Sequence, residues 1–299
     1  MILPPPSRRT LHALRCTLLL AVLAGCTTSP RLQEARDVAT HAVKLGGYAD
    51  LSERFRDTYT RERPYLTAAA DARERAADTQ RRAVFADIMA IHGAVVEYLR
   101  TLGQVAGADA FSLDAPIKAL GGSIKAWPDA GLDDRHVKAF TGLARLVARA
   151  ATAREQENAL RQMVRDAEPH LQLLLDAMQR LLRYYDKSSD NERAIVLGML
   201  DVEIPFAETP RDRLLAALAK AHRQARAQEY RVAGLRHTLA IKHVAAIAAA
   251  HTALLQRLEQ PDNAAATEAL RQASGTLRLH AEALAQPPAT QLATQLEQP

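Results

Sequence analysis

Apolar residues recur at alternating spacings of four and three along three long segments of this chain. That is the 3.5-residue period of helices that pack along a common seam. The apolar positions of the first segment are Val84, Ile88, Ile91, Val95, Tyr98, Leu102 and Val105. Those of the second segment are Leu160, Val164, Ala167, Leu171, Leu174, Met178, Leu181 and Tyr185. These two segments are predicted to be long amphipathic helices.

The third segment carries a seam that changes face partway along. Its first part consists of Leu214, Leu218, Ala221, Ala225, polar Gln228, Val232, Leu235 and Leu239. At Lys242 the pattern fails, and the stripe moves by one position to Ile241, Val244, Ala248, His251, Leu255 and Leu258. A helix whose apolar face rotates needs more than one neighbour, so the pattern favours a bundle over a two-stranded coiled coil.

Local signals predict where the long helices begin. Pro64 and Tyr65 are expected to open the first one, and Pro210 after Thr209 is expected to open the third. The segment 189–192, SDNE, has Ser three residues before Glu, which is the form of a capping box and predicts another helix start. Pro169 lies inside the second seam and is expected to kink or divide that helix.

These boundaries divide the chain into four parts. Residues 1–25 are a signal peptide, residues 26–62 a membrane-proximal helical segment, residues 63–258 the long bundle, and residues 259–299 a C-terminal helix with a flexible tail. Hydrophobic residues make up 48% of the chain but aromatic residues only 4%, which favours helices over sheets. The predicted fold is all-α, an elongated helical bundle with coiled-coil-like long helices.

The first residues have the order of an export signal. Three arginines come first, then an apolar run that is too short to span a bilayer, then the small residues Ala24 and Gly25 before Cys26. The sequence Leu23-Ala24-Gly25-Cys26 resembles the lipobox of bacterial lipoproteins. The resemblance covers only about the first 26 residues, and it implies that Cys26 is lipidated and becomes the mature N-terminus. Several acyl chains on one cysteine give a stable membrane anchor.

The alternative interpretation is an ordinary secretory signal with a cysteine near its end, and either interpretation exports the chain. In the lipoprotein family, an aspartate after the cysteine usually retains the protein in the inner membrane, whereas Thr27 stands here. The resemblance therefore implies an outer-membrane protein that faces the periplasm. Residues 7–14 also resemble a twin-arginine signal, but His12 departs from that pattern, so general secretion is expected.

Removal of the signal changes the charge and the cysteine content of the protein. The net charge of +5 includes three signal arginines and no signal acid, so the exported part carries +2. This small excess and the expected compartment argue against a nucleic-acid partner. The chain has two cysteines, of which Cys16 leaves with the signal, so no disulfide is expected.

The sequence offers few candidates for metal or catalytic chemistry. It contains no Glu-x-x-His motif for a di-metal bundle, no nucleophile elbow and no phosphate-binding loop. His243 and His251 are two helical turns apart, too far to grip one ion, and His251 is interpreted as a hydrogen-bonded core histidine. Asp133 near His136 is interpreted as a charge at a helix start. We therefore predict no catalytic residue, no metal and no cofactor.

Two further features bear on binding. Trp127, the only tryptophan, either plugs the end of the bundle or presents an exposed ring to a ligand or partner. Lys220, Arg223 and Arg226 can form one basic stripe, which is either a candidate contact for an anionic partner or a solvated face balanced by neighbouring acids.

The leading functional hypothesis is a non-enzymatic, membrane-anchored envelope lipoprotein. Its helical bundle would act as a scaffold, tether or assembly partner for other envelope proteins. The alternative is an envelope lipoprotein that binds a lipid or an anionic glycan. An envelope enzyme, for instance one that cleaves glycans, is the third hypothesis, but no pattern singles out one of the 34 acidic residues.

Overall fold

The computed structural model describes residues 29–107, 123–150, 157–207 and 209–286. Cys26 and the rest of the predicted signal, and nearly all of the predicted tail, lie outside these residues. Apart from one isolated β-bridge between Trp127 and Leu132, every regular element in the described part is helical. The predicted all-α helical bundle is confirmed.

The bundle is built on two antiparallel 47-residue helices, each about 70 Å long at 1.5 Å per residue. Shorter helices surround this hairpin. The α-helices in chain order are α1 (Pro30–Ala42), α2 (Gly46–Arg56), α3 (Thr58–Glu62), α4 (Ala68–Val105), α5 (Asp134–Ala150), α6 (Glu157–Glu203), α7 (Arg213–Glu259) and α8 (Ala264–Ala285). Between them, the described residues include three 3₁₀ turns, at Arg63–Tyr65, Pro128–Ala130 and Ile204–Ala207.

The first two predicted seams are the core faces of α4 and α6. All eight seam residues of α6 are buried, and so are all those of α4 except the half-buried Val84. Residues of α1, α2, α5, α7 and α8 join them in one core cluster.

The first part of the predicted seam of the third segment is wrong, whereas the second part faces the core. In that second part Val244, His251 and Leu258 are buried, and Ile241, Ala248 and Leu255 are half-buried and pack against the core cluster. Leu214 and Leu218 are 73% and 60% exposed. The stripe of α7 that is buried alternates spacings of three and four without any change of face, through Tyr230, Ala233, His237, Ala240, Val244, Ile247, His251, Leu254 and Leu258. The part of this stripe before Lys242 was not predicted, because alanine and histidine occupy most of its positions, at Ala233, His237 and Ala240.

The helix starts also differ from the prediction. The first long helix begins at Ala68, where the Thr67 hydroxyl accepts a hydrogen bond from the Ala70 amide, and the third begins at Arg213. The predicted start at Ser189 is wrong, because α6 continues from Glu157 to Glu203. Pro169 does not divide α6.

Candidate interaction surface at the end of the hairpin

Large hydrophobic side chains are exposed mainly at one end of the α6–α7 hairpin. We call residues 196–207 and 209–223 the hairpin end, and the remaining parts of α6 and α7 the base half. The exposed apolar side chains there are Met199, Val202, Phe206, Leu214, Leu215 and Leu218. In the rest of the described chain, only Leu279 belongs to this class. A cluster of this kind on a folded protein is typical of an interaction site.

The hairpin end has a small core of its own. Val196, Leu200 and Ile204 of the α6 side are buried together with Tyr230 of α7. Tyr65 packs on this group and stacks on His222, with the ring centroids 6.1 Å apart. This small core leaves many apolar residues uncovered because the start of α7 is apolar on all sides, from Leu214 to Ala219.

Buried ionic groups next to the hairpin end link α6 and α7 to the body of the protein. The Glu192 carboxylate, 1% exposed, accepts hydrogen bonds of 2.9 and 2.7 Å from the Arg61 guanidinium. The Tyr230 hydroxyl donates to the same carboxylate over 3.0 Å, and an Arg54 nitrogen lies 3.7 Å away. Burial and the nearby Glu192 charge raise the pKa of Tyr230. The predicted capping residue Glu192 is therefore a tertiary link between α3, α6 and α7.

The structure places the predicted basic stripe beside the apolar cluster and shows ionic partners for two of its residues. Arg223 of α7 forms an ion pair with Asp201 of α6, and one of its hydrogen bonds is 3.1 Å long. This contact lowers the pKa of the Asp201 carboxyl. Arg226 donates to Glu229 over 2.6 Å. Lys220 is exposed and lines a shallow cleft of about 540 Å³ with Arg213. Positively and negatively charged side chains therefore border the apolar cluster.

Trp127 lies in the core rather than on a surface. It is 7% exposed, and its ring packs on Phe55 and Tyr184 at centroid distances of 6.2 and 5.2 Å. Of the two alternatives for Trp127, the exposed ring is excluded.

The histidines of α7 belong to the interior of the bundle. His251 is fully buried and contacts Glu168 through Nδ1 and the Tyr98 hydroxyl through Nε2, the latter at 2.6 Å, so its prediction as a hydrogen-bonded core residue is confirmed. Burial lowers the pKa of His237 and of His243 to about 4. Among the described residues, no three His, Cys, Asp or Glu side chains are grouped so that they could hold a metal ion.

By length and composition alone, α7 is also apolar enough to cross a membrane. Half of its most apolar window is buried within the bundle, as in the core helix of a folded domain, so this finding is weak evidence for a membrane span.

Comparison with known proteins assigns no family. A scan against protein-family models and searches of curated proteins and of solved structures found no match.

Proposed function

We propose that this protein is a lipid-anchored envelope lipoprotein that uses the hairpin end to bind another envelope protein. Its role would be that of a scaffold or tether, without catalysis of its own. The observation that carries this proposal is the cluster of six exposed apolar side chains at the hairpin end. Protein interfaces have an apolar centre with a polar rim, and this cluster has a border of both charge signs.

The position of the proposed anchor favours a protein partner over the membrane itself. Arg31 of α1 forms an ion pair with Glu157 at the first residue of α6, and Arg257 near the end of α7 lies 3.2 Å from Glu34. The described chain therefore begins at the base of the hairpin, close to Cys26 in sequence. The apolar cluster lies at the opposite end of helices about 70 Å long. A lipid on Cys26 would attach the base to the membrane and allow the hairpin end to reach a partner in the periplasm.

The charge at the hairpin end also argues against an anionic lipid surface. In the sequence from 196 to 223, four bases (Arg211, Arg213, Lys220 and Arg223) are matched in number by four acids (Asp201, Glu203, Asp212 and Glu208, the last of which lies outside the described residues). Membrane-binding helices instead carry an excess of Lys and Arg around their apolar face. We infer that the surface is built for a protein with a complementary apolar patch.

Two changes test the anchor and the surface separately. Cys26→Ser should move the protein from the membrane fraction to the soluble envelope fraction, and retention in the membrane would contradict the anchor. Leu214→Ser combined with Leu218→Ser should abolish co-purification of a stoichiometric envelope protein after cross-linking in cells. Leu279→Ser, at the exposed leucine of α8, is the matched control and should leave that partner bound. Equal loss in both variants would contradict the proposed surface.

A further inference from the structure

A polar pocket of about 380 Å³ lies on the body of the protein, and its lining includes none of the exposed apolar side chains of the hairpin end. Its walls come from α3, the first half of α4, the turn at Pro128–Ala130 and the middle of α6. Its charged lining residues are Glu62, Glu74, Arg81, Asp129 and Lys187. We call it the Glu62–Arg81 pocket. Its volume is at the lower end of the range for small-molecule sites, about 300–1,000 Å³.

Two charged side chains of this pocket are almost completely buried with polar atoms left unpaired. Glu62 is 2% exposed, and its Oε1 has no hydrogen-bond partner among the described residues. Arg81 is 8% exposed, and its Nε and Nη2 likewise have none there. An unpaired buried polar atom costs about 1–3 kcal/mol, and more for a charged group. Native structures rarely keep such groups without a reason, and a binding site is one.

A second buried glutamate, Glu192, offers a comparison for Glu62. Glu192 is as buried as Glu62, but it receives two hydrogen bonds from Arg61 and one from Tyr230. The neighbours of Glu62 are different in kind. Burial, followed by a hydrogen bond with Glu74 and the charge of that carboxylate, raises the pKa of Glu62 to about 8, against the opposing effect of the nearby Arg81 charge. Glu62 therefore lies beside another acid rather than beside a full set of donors.

The free atoms of Arg81 fit a ligand oxyanion. Nε and Nη2 lie on the same edge of the guanidinium and can donate two parallel hydrogen bonds to one carboxylate. The Arg81 contact with Glu74 is made by the other terminal nitrogen, Nη1, at 3.7 Å, which leaves this edge available. Lys187 in the same lining adds a second positive charge.

The acidic side of the pocket fits a ligand cation. Two neighbouring carboxyl groups cannot both ionise easily, and a cation between them removes that restriction. Glu62 and Glu74 provide such a pair, and Asp129 adds a third acid to the lining. A ligand with only an anionic group would be repelled by these acids. A ligand with only a cationic group would leave the Nε and Nη2 atoms of Arg81 without a hydrogen-bond partner.

We propose that the Glu62–Arg81 pocket binds a small zwitterion of the amino-acid type, with its carboxylate on Arg81 and its ammonium group between Glu62 and Glu74. This site is independent of the hairpin end, and its ligand is neither the lipid nor the anionic glycan considered from the sequence. Binding of the ammonium group ionises Glu62, so the complex forms with release of a proton near neutral pH.

The test is calorimetry and thermal unfolding of the full-length protein with a panel of free amino acids and alanyl-alanine as probes. At least one probe should bind saturably and raise Tm, as expected for a ligand that binds only the folded state. Its binding heat should change with the ionisation enthalpy of the buffer, because a proton is released. No response to any probe would overturn the proposal. An equal response to acetate or to ethylamine would overturn the zwitterion assignment.

Substitutions connect the response to this pocket. Arg81→Gln and Glu62→Gln should each weaken binding at least tenfold, and Glu62→Gln should also remove the buffer dependence of the heat. Arg73→Gln is the matched control, since Arg73 is an exposed arginine on the same helix, and it should bind as the native protein does. Circular dichroism verifies folding of each variant. Unchanged binding in folded Arg81→Gln and Glu62→Gln proteins would place the ligand elsewhere and overturn the proposal.

Discussion

The base half and the hairpin end belong to the same two helices, yet they treat apolar side chains in opposite ways. In the base half, seam residues of α6 such as Leu171 and Leu174 are completely buried, and the described residues there include no exposed large hydrophobic side chain. At the hairpin end, Phe206 and Leu214 are more than 70% exposed. The difference indicates that the base half provides stability, whereas the hairpin end keeps apolar surface available for a partner.

The junction between the two regions should give the largest stability effect. Glu192→Ala removes the carboxylate that Arg61 and Tyr230 bind and leaves buried groups without a partner. We expect the free energy of unfolding to fall by about 3–5 kcal/mol. Chemical denaturation measures this loss. Glu203→Ala, at an exposed glutamate of the same helix, is the control and should change stability by less than about 0.5 kcal/mol. A similar small change for Glu192→Ala would mean that the junction does not depend on this cluster.

The core seam of the base half should give the next effect. Leu174→Ala creates a cavity in a fully buried position and should cost about 2–5 kcal/mol, measured by urea unfolding. Leu218→Ala makes the same substitution at the hairpin end, where the side chain is 60% exposed, and should cost less than about 0.5 kcal/mol. Equal costs at the two positions would show that Leu218 is packed and would remove the contrast between the regions.

Acid should weaken the base half through its buried histidines. The pKa of His243 is about 4 in the folded protein against 6.5 for an unperturbed histidine, so the unfolded state binds more protons between these pH values. Its contribution is complete above pH 6.5 and is lost as the pH falls towards 4, by about 2 kcal/mol between pH 6.5 and 4.5. Glu62 acts in the opposite direction, because its raised pKa lowers stability as the pH rises from 4.5 to about 8.

His243→Leu tests the histidine effect, since both ring nitrogens lack a hydrogen-bond partner among the described residues. Urea unfolding at pH 4.5 and pH 6.5 should show a smaller difference in this variant than in the native protein. An unchanged pH dependence would show that other groups cause the acid sensitivity.

The sequence predicted those elements whose signals are local and apolar. The seams of α4 and α6 consist mostly of Leu, Ile and Val, so their period is visible in the sequence. The structure buries almost all of these residues, as the period predicts. The part of the α7 seam before Lys242 was missed because Ala233, His237 and Ala240 occupy it, and a histidine is buried only when its neighbours make that favourable, whereas the part with Val244, His251 and Leu258 was predicted. Likewise, Ser189 and Glu192 have the form of a capping box, but the competing ion pair with Arg61 comes from a distant part of the chain.

The candidate sites were harder to predict for the same reason. Leu214 and Leu218 have the spacing of a seam, but spacing cannot tell whether another helix covers them. The Glu62–Arg81 pocket combines residues from α3, α4 and α6, and no short motif joins them. Lys220, Arg223 and Arg226 were found as a stripe, whereas the acids Asp201 and Glu229 that pair with the two arginines become evident only in the fold.

The most direct test of the central claim is site-specific photo-cross-linking in cells that carry the lipidated protein. A photoreactive residue at position 206, where Phe206 is 77% exposed, should form one discrete adduct with another envelope protein. The same residue at position 279, where Leu279 is 61% exposed, should not form that adduct. Only lipid adducts at position 206, or the same adducts from both positions, would contradict a protein-binding hairpin end.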